Sequence, residues 1–185
     1  MSDWKTHASQ TILSAGKWLS VEMRTIETPA GQVIEDWAWV ITPDFINVVA
    51  VNQQGRLLLF RQGKYGVTGE SLAPVGGYIE PGEDPLAAAQ RELREELGCT
   101  AERWINLGSY RIDPNRGVCM GHIFLALGAH QVTEPDADDL EELRPVEMTL
   151  EEAAAALEAG QVKVLSWAAC LSMALSWLER HQEVG

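Results

Sequence analysis

Polar and apolar positions alternate through the first third of the chain. From Trp18 to Glu27 the apolar residues Leu19, Val21 and Met23 recur at every second position, the period of a strand with one covered face. Pro29-Ala30-Gly31 marks a turn, and residues 33–41 repeat the period with Trp37, Trp39 and Ile41 on one side. Residues 45–51 read FINVVAV, apolar almost throughout, and predict a strand covered on both faces. Gln53-Gln54-Gly55 predicts a hairpin turn into a fourth strand at residues 56–61, RLLLFR.

The period then changes. Over residues 85–97 the apolar positions Leu86, Ala89, Leu93 and Leu97 fall on one side of a helix. Asp84 is a good N-cap, Pro85 suits the first turn, and Gly98 suits the left-handed residue that ends it. Further strands are predicted at 108–112 and 118–127. Two helices follow, at about 150–159 and 164–180. The first has a Thr149/Glu152 capping box and Gly160 as its stop; the second has an apolar face of Val164, Trp167, Leu171, Ala174/Leu175 and Leu178. Strands, a central helix, more strands and closing helices predict an α+β fold, with helices packed on a mixed sheet.

Composition narrows the function. The chain has 185 residues, 46% hydrophobic and 22% charged, with no repeat and no Pro/Ser-rich linker. Its net charge of −13 disfavours partners made of phosphate backbone or anionic membrane, and suits divalent cations, which take carboxylate oxygens. Cys99, Cys119 and Cys170 are scattered, with no CxxC pair, as reduced thiols of a cytoplasmic protein would be. No secretory signal is visible at the start. Residues 164–178 are broken by Ser166, Ser172 and Ser176, and fall short of the roughly 20 apolar residues of a membrane span.

Residues 77–99 carry the chemistry: GYIEPGEDPLAAAQRELREELGC. A glycine-rich turn (Gly76, Gly77, Gly82) feeds the helix, which displays Glu92, Glu95 and Glu96 at i, i+3 and i+4. These carboxylates sit at the edge of the core stripe. Crowded like charges raise one another's pKa unless a counter-charge intervenes, and here Arg91, Arg94 or a bound cation can supply it. A glutamate-rich solvated face is the plain alternative, but the whole spacing argues against it. Gly77, five residues, Glu83, seven residues, Arg91-Glu92-Leu93, one residue, Glu95-Glu96, one residue and Gly98 match by chance on the order of 10⁻⁸ per window.

This spacing resembles the signature of the Nudix hydrolase family, with Cys99 where an aliphatic residue is usual. The resemblance implies a Nudix fold, an α/β/α sandwich around a mixed sheet. It also implies metal-dependent hydrolysis of the pyrophosphate in a nucleoside diphosphate linked to another group, X, using Mg²⁺ or Mn²⁺. Carried over residue by residue, it makes Glu92, Glu95 and Glu96 metal ligands, with the Gly76 carbonyl as a backbone ligand. Arg91 resembles the residue that orients a box glutamate, while Glu83 is left open between support and ligand. Gly77 and Gly98 serve backbone conformation.

Pro114 lies 15 residues past Cys99, a spacing that resembles the ADP-ribose and nucleotide-sugar pyrophosphatase branch; IDPNRG is equally a plain turn. That branch carries an N-terminal extension used for homodimerisation, here a β-hairpin within residues 1–42, ahead of a Nudix domain at 43–185. Trp37 and Trp39 then either line an adenine slot or serve core and interface packing. Arg61-Gln62-Gly63-Lys64 stands where the branch has Arg-Gln-aromatic-Arg, so Lys64 keeps a phosphate-binding charge without the fork of an arginine. In the branch, the acidic run at 134–142 supplies a general base and a further ligand. Asp139 and Glu141 fall nearest those positions, with Glu141 also a metal candidate and Glu142 next. The implied product is a nucleoside monophosphate plus phosphorylated X. Hydrolysis of nucleoside triphosphates or diadenosine polyphosphates, and a non-catalytic module binding nucleotide sugars, stay open as alternatives.

Overall fold

The computed structural model, which describes residues 3–136 and 142–181, begins with three antiparallel strands in the order β1 (Lys5–Ala15), β2 (Leu19–Glu27) and β3 (Val33–Ile41). The sequence predicts two of these, as a hairpin. The added first strand makes a three-stranded sheet instead. Its residues, KTHASQTILSA, are exposed at every position, so no buried stripe announces it. Polar pairs across the ladder hold it: Lys5 to Glu27 at 2.8 Å and Ser9 to Glu22 at 2.8 Å.

The run FINVVAV forms β4 (Phe45–Asn52), followed by β5 (Leu57–Gly63), β6 (Glu70–Ala73) and β7 (Val75–Tyr78). Helix α1 (Pro85–Leu97) leads into β8 (Cys99–Thr100), β9 (Arg103–Asp113), β10 (Val118–Gln131) and β11 (Arg144–Met148). Helices α2 (Leu150–Glu158) and α3 (Leu165–His181) follow. The second sheet has the order β11-β5-β4-β10-β8, with β6 on β5, β7 on β4 and β9 on β10.

Both faces of this mixed sheet are covered, and β4 shows how. Ile46, Val48 and Ala50 join Ala88, Ala89 and Leu93 of α1 in one core cluster; Val49 and Val51 join Cys170, Leu171 and Ala174 of α3 in another. Side chains of a strand alternate between faces, so an unbroken apolar run is what a doubly covered strand requires. The result is the predicted helix–sheet–helix sandwich. Strands β6, β7, β8 and β11 are absent from the sequence expectation. They are two to five residues long, and all but β6, which pairs with the preceding β5, pair with strands distant in the chain, so their own pattern says little.

The residues to Asp44 form one compact unit together with Tyr110–Gly121, the tip of the β9–β10 hairpin; Phe45–Ser109 and His122 onward form the other. The first unit thus includes a mid-chain segment lying beyond the boundary at residue 42. Within it, Val40 N donates to Arg116 O at 2.7 Å, and a Cβ at Gly117 would stand 2.0 Å from Trp39 Cε2. Among the described residues, no helix is long and apolar enough to cross a membrane.

Candidate active site

The site begins with how α1 is anchored. Asp84 Oδ1 accepts from the Leu86 and Ala87 amides at 2.9 and 3.3 Å, and Pro85 occupies the first turn. At the other end Gly98 is left-handed, φ 63°, and its amide donates to Arg94 O at 2.9 Å. A side chain there is excluded twice, by the backbone conformation and by Thr133 O, 2.1 Å from where a Cβ would lie. The 133–136 segment is docked on the helix end: Thr133 N donates to Gly98 O and Asp136 N to Glu95 O, at 3.1 and 2.8 Å.

On the helix, the covered face differs from the predicted stripe. Ala88, Ala89, Leu93 and Glu96 are buried, while Leu86 and Leu97 are half-buried. The three carboxylates therefore form a burial gradient rather than one exposed edge: Glu96 is only 8% exposed, the Glu92 side chain 14% and that of Glu95 45%. Glu96 therefore lies within the covered side rather than at the edge of the stripe, because it follows Leu93 by three residues and shares the core-facing side.

Arg91 organises the acids. Its Nε donates to Glu83 Oε1 at 2.9 Å and its Nη2 to Glu83 Oε2 at 3.0 Å. Nη1 donates to Glu92 Oε1 at 2.7 Å and to Glu95 Oε2 at 3.0 Å, and Nη2 also reaches Tyr78 O at 3.1 Å. All five guanidinium N–H groups are thereby used, which a lysine could not reproduce. Arg94 points to solvent instead. The hydrogen bonds from Arg91 hold the Glu83 carboxyl below the usual carboxylate range, and Glu83 in turn pushes the Arg91 guanidinium above its own. Glu83 also accepts from the Glu80 amide at 2.9 Å, so both of its oxygens are committed within the protein.

The glycine pair meets the helix on β7. A Cβ on Gly77 would lie 1.9 Å from Glu92 Oε1; one on Gly76 would lie 2.5 Å from Asn47 Nδ2. The missing side chain at Gly77 is what lets the Glu92 carboxylate rest against the strand. Asn47, opposite Gly76 on β4, is 3% exposed, with its Oδ1 buried and lacking a hydrogen-bond partner among the described residues. Sequence reasoning missed Asn47 and Tyr78. The first had a signal, a lone amide inside FINVVAV; the second acts through a main-chain carbonyl and had none.

The donors are hard oxygens gathered by one helix and one strand, and the glycine cradle gives the backbone access to them. Among the described residues, no three acidic, His or Cys side chains converge as a ready cation cage. Hard carboxylate and carbonyl oxygens are the donors a divalent cation such as Mg²⁺ takes.

The other predicted residues are distributed as follows. Asp139 and Glu141 lie outside the described residues. Lys64 lines an open hollow of about 420 Å³ with Gly63, Tyr65, Val67, Gly69, Glu70, Glu142 and Arg144. Arg61 donates to Gln161 Oε1 at 3.1 Å. Trp37, Trp39 and Pro114 belong to the N-terminal unit. The Arg24 guanidinium lies 4.4 Å from the centre of Trp39, while Trp37 has Trp4 at 6.1 Å and Arg116 at 5.4 Å. Pro114 follows Asp113, whose Oδ1 accepts from the Asn115 and Arg116 amides at 2.9 and 3.2 Å, an Asx turn.

Comparison with known proteins gives consistent matches. The NUDIX domain family model matches residues 42–168. The chain is 29% identical over 159 residues to an ADP-ribose pyrophosphatase of Bacillus subtilis (strain 168), covering 85% of each. It is 30% identical over 126 residues to an ADP-sugar pyrophosphatase of Mus musculus, covering 62% of this chain and 57% of the relative. A crystal structure of an ADP compounds hydrolase shares the fold, with a TM-score of 0.80 at 21% identity over 100% of this chain and 98% of the other.

Proposed function

The chain belongs to the NUDIX family and is a hydrolase, and from that premise we propose that it cleaves the pyrophosphate of ADP-ribose or a related nucleotide sugar, giving a nucleoside monophosphate and a sugar phosphate. The observation that carries this reading is the set Glu83, Glu92 and Glu95 tied together by the Arg91 guanidinium, with Glu92 laid against Gly77 and Glu96 buried on the same helix. Relatives named as ADP-ribose and ADP-sugar pyrophosphatases support the substrate class.

In this reading Glu92, Glu95, Glu96 and the Gly76 carbonyl hold Mg²⁺ or Mn²⁺, with Glu141 as a further ligand. Such a cation would supply neutralisation of phosphate charge and a lowered pKa for a bound water. Arg91 fixes the direction of the Glu92 and Glu95 carboxylates. Glu83 is a positioning residue, because its oxygens are taken by Arg91 and the Glu80 amide. Asp139 or Glu141 takes the proton of the attacking water, and Lys64 and Arg61 face substrate phosphate. Trp37 and Trp39 serve the packing of their own unit, which contact from Arg24, Arg116 and Trp4 favours over an adenine slot. The exposed Trp4, Ile12, Leu13 and Trp18 make the three-stranded sheet the natural homodimer surface, and sedimentation showing a clean monomer would remove that part of the reading. Three free, buried cysteines agree with a reducing cytoplasm; burial pushes the Cys170 thiol up to about 12, where it is inert.

The test is phosphatase-coupled turnover with Mg²⁺ or Mn²⁺ on ADP-ribose, ADP-glucose, GDP-mannose, NADH, diadenosine polyphosphates and nucleoside triphosphates. A dominant signal from ADP-ribose or a nucleotide sugar is expected. Preference for triphosphates or diadenosine polyphosphates would replace the substrate class, and silence throughout would favour a non-catalytic binding module.

A further inference from the structure

Two adjacent glycines on β7 are pressed from opposite faces. Side chains of neighbouring strand residues point to opposite sides. A Cβ on Gly77 would run into the Glu92 carboxylate of α1, and one on Gly76 would meet Asn47 Nδ2 at 2.5 Å on the other side. Asn47 stands directly across the β4–β7 ladder from Gly76. It shares its face of β4 with Val49 and Val51, which pack against α3. The Gly76–Gly77 main chain is therefore held between a carboxylate and a carboxamide.

The register also shows where the Gly76 carbonyl points. Ile46 O lies 3.2 Å from the Cβ position of Gly76, so the Ile46 carbonyl is turned toward β7. In an antiparallel pair the main-chain N–H and C=O of one residue turn to the same side, and successive residues alternate. Ile46 and Gly77 thus turn their ladder groups toward each other, and the Gly76 carbonyl turns away from β4. Among the described residues, no strand other than β4 pairs with β7. The carbonyl is left outside the ladders, on the strand that the Glu92 carboxylate rests against.

Asn47 is a costly residue for this place. It is buried, its Oδ1 has no hydrogen-bond partner among the described residues, and Ile46, Val48 and Val49 around it are fully buried apolar residues. An apolar side chain of similar volume would leave no acceptor unsatisfied. What the amide has and a leucine lacks is a planar end, which lies flat over a Cα at an approach where a tetrahedral branch would collide.

We propose that Asn47 is a positioning residue: its carboxamide sets the height of the Gly76–Gly77 strand, and with it the direction of the Gly76 carbonyl relative to the Glu92 carboxylate. The inference rests on the reading of that carbonyl and the box glutamates as cation ligands, and adds what holds the carbonyl in place. Asn47 acts through the main chain and touches no reacting atom.

Mn²⁺ titration of the full chain, followed by loss of the free ion's electron paramagnetic resonance signal, tests this without turnover. Asn47→Ala removes the support and Asn47→Leu displaces the strand. Each is expected to weaken Mn²⁺ binding about tenfold, the size of effect that follows when a group orienting a metal ligand is removed. The Tm of Asn47→Ala is expected to stay near that of the wild type, because losing the unpartnered amide offsets the lost contact. It therefore carries the test if the leucine variant folds poorly. Val49→Ala, on the same face of β4, is expected to lower Tm and leave Mn²⁺ binding within twofold. Unchanged Mn²⁺ binding in both Asn47 variants, or an equal loss in Val49→Ala, would overturn the positioning role while the cation reading stands. Glu96→Gln binding Mn²⁺ as tightly as the wild type would instead overturn the cation reading, and the role of Asn47 with it.

Discussion

The box helix and the N-terminal sheet are opposite solutions to holding charged side chains in place. Around α1, Ala88, Ala89 and Leu93 are fully buried, and the acids stand on that rigid base with an arginine among them. In β1–β3, Ile26 at 7% exposure is the buried residue, and β1 is exposed throughout. There Glu27 is paired to the exposed Lys5 and His7, where solvent screening leaves such pairs little weight; Glu22 and Arg24 are half-covered, but on a sheet with little buried apolar side chain beneath them. Pairs of similar length thus differ in consequence, because packing fixes the first set and not the second. The lesson is that ion-pair geometry becomes functional machinery only where a core prevents the partners from choosing other rotamers.

Glu96→Gln makes the largest expected change. The carboxylate is buried and glutamine is nearly isosteric, so kcat should fall at least a hundredfold, about 2.7 kcal/mol, with the fold intact by circular dichroism. Residual activity above about a tenth of wild type would detach Glu96 from the chemistry.

Arg91→Ala comes next and should damage both activity and stability. It strands Glu83 and Glu92 at a partly covered site, at a cost of about 3 kcal/mol, which lowers Tm by roughly 6–12 °C in a chain of this size. Arg91→Lys should recover charge but not the five-donor fork, so scanning calorimetry and kcat/KM should fall between wild type and alanine.

Gly77→Ala separates the two effects. The added methyl meets the far end of a flexible side chain, Glu92, which can swing away, and the backbone is not left-handed there. We expect Tm to stay within about 2 °C, as for a change under 1 kcal/mol, while kcat drops about tenfold. A matched loss of stability would mean that the strand, not the carboxylate, had moved.

The smallest effect is pH dependence. A carboxyl held below its unfolded value contributes stability that is present at neutral pH. That contribution drains away as pH falls from the unfolded value, near about 4.3, through the lower folded one. Arg91 places Glu83 in this class. Melting curves from pH 6 to pH 3 should therefore be flatter for Glu83→Gln than for wild type. Glu27→Gln, lowered chiefly by the exposed Lys5 pair, should leave the curve unchanged. Equal flattening by both would erase the contrast between the two regions.

The same contrast explains what could be read from the chain. The helix over 85–97, its Asp84 and Gly98 caps, and the Gly77-to-Gly98 spacing are local, and each appears in the structure where the pattern puts it. The doubly covered β4 was legible because burial on two faces leaves no polar gap. Strand β1 was not, since KTHASQTILSA carries no covered stripe. Nor was the burial of Glu96, because residue type argued for solvent and only the packing of α1 on the sheet turns it inward. Arg91 was legible as a partner of a box glutamate, but not as the hub joining Glu83, Glu92, Glu95 and Tyr78, which needs β7 brought beside the helix.

Chromatographic identification of the products that the wild-type chain makes from ADP-ribose in Mg²⁺ tests the central claim most directly. Cleavage of the pyrophosphate bond predicts AMP and ribose 5-phosphate in equal amounts. ADP with free ribose, or intact substrate under conditions where the folded chain binds it, would contradict the assignment of the box carboxylates to pyrophosphate hydrolysis.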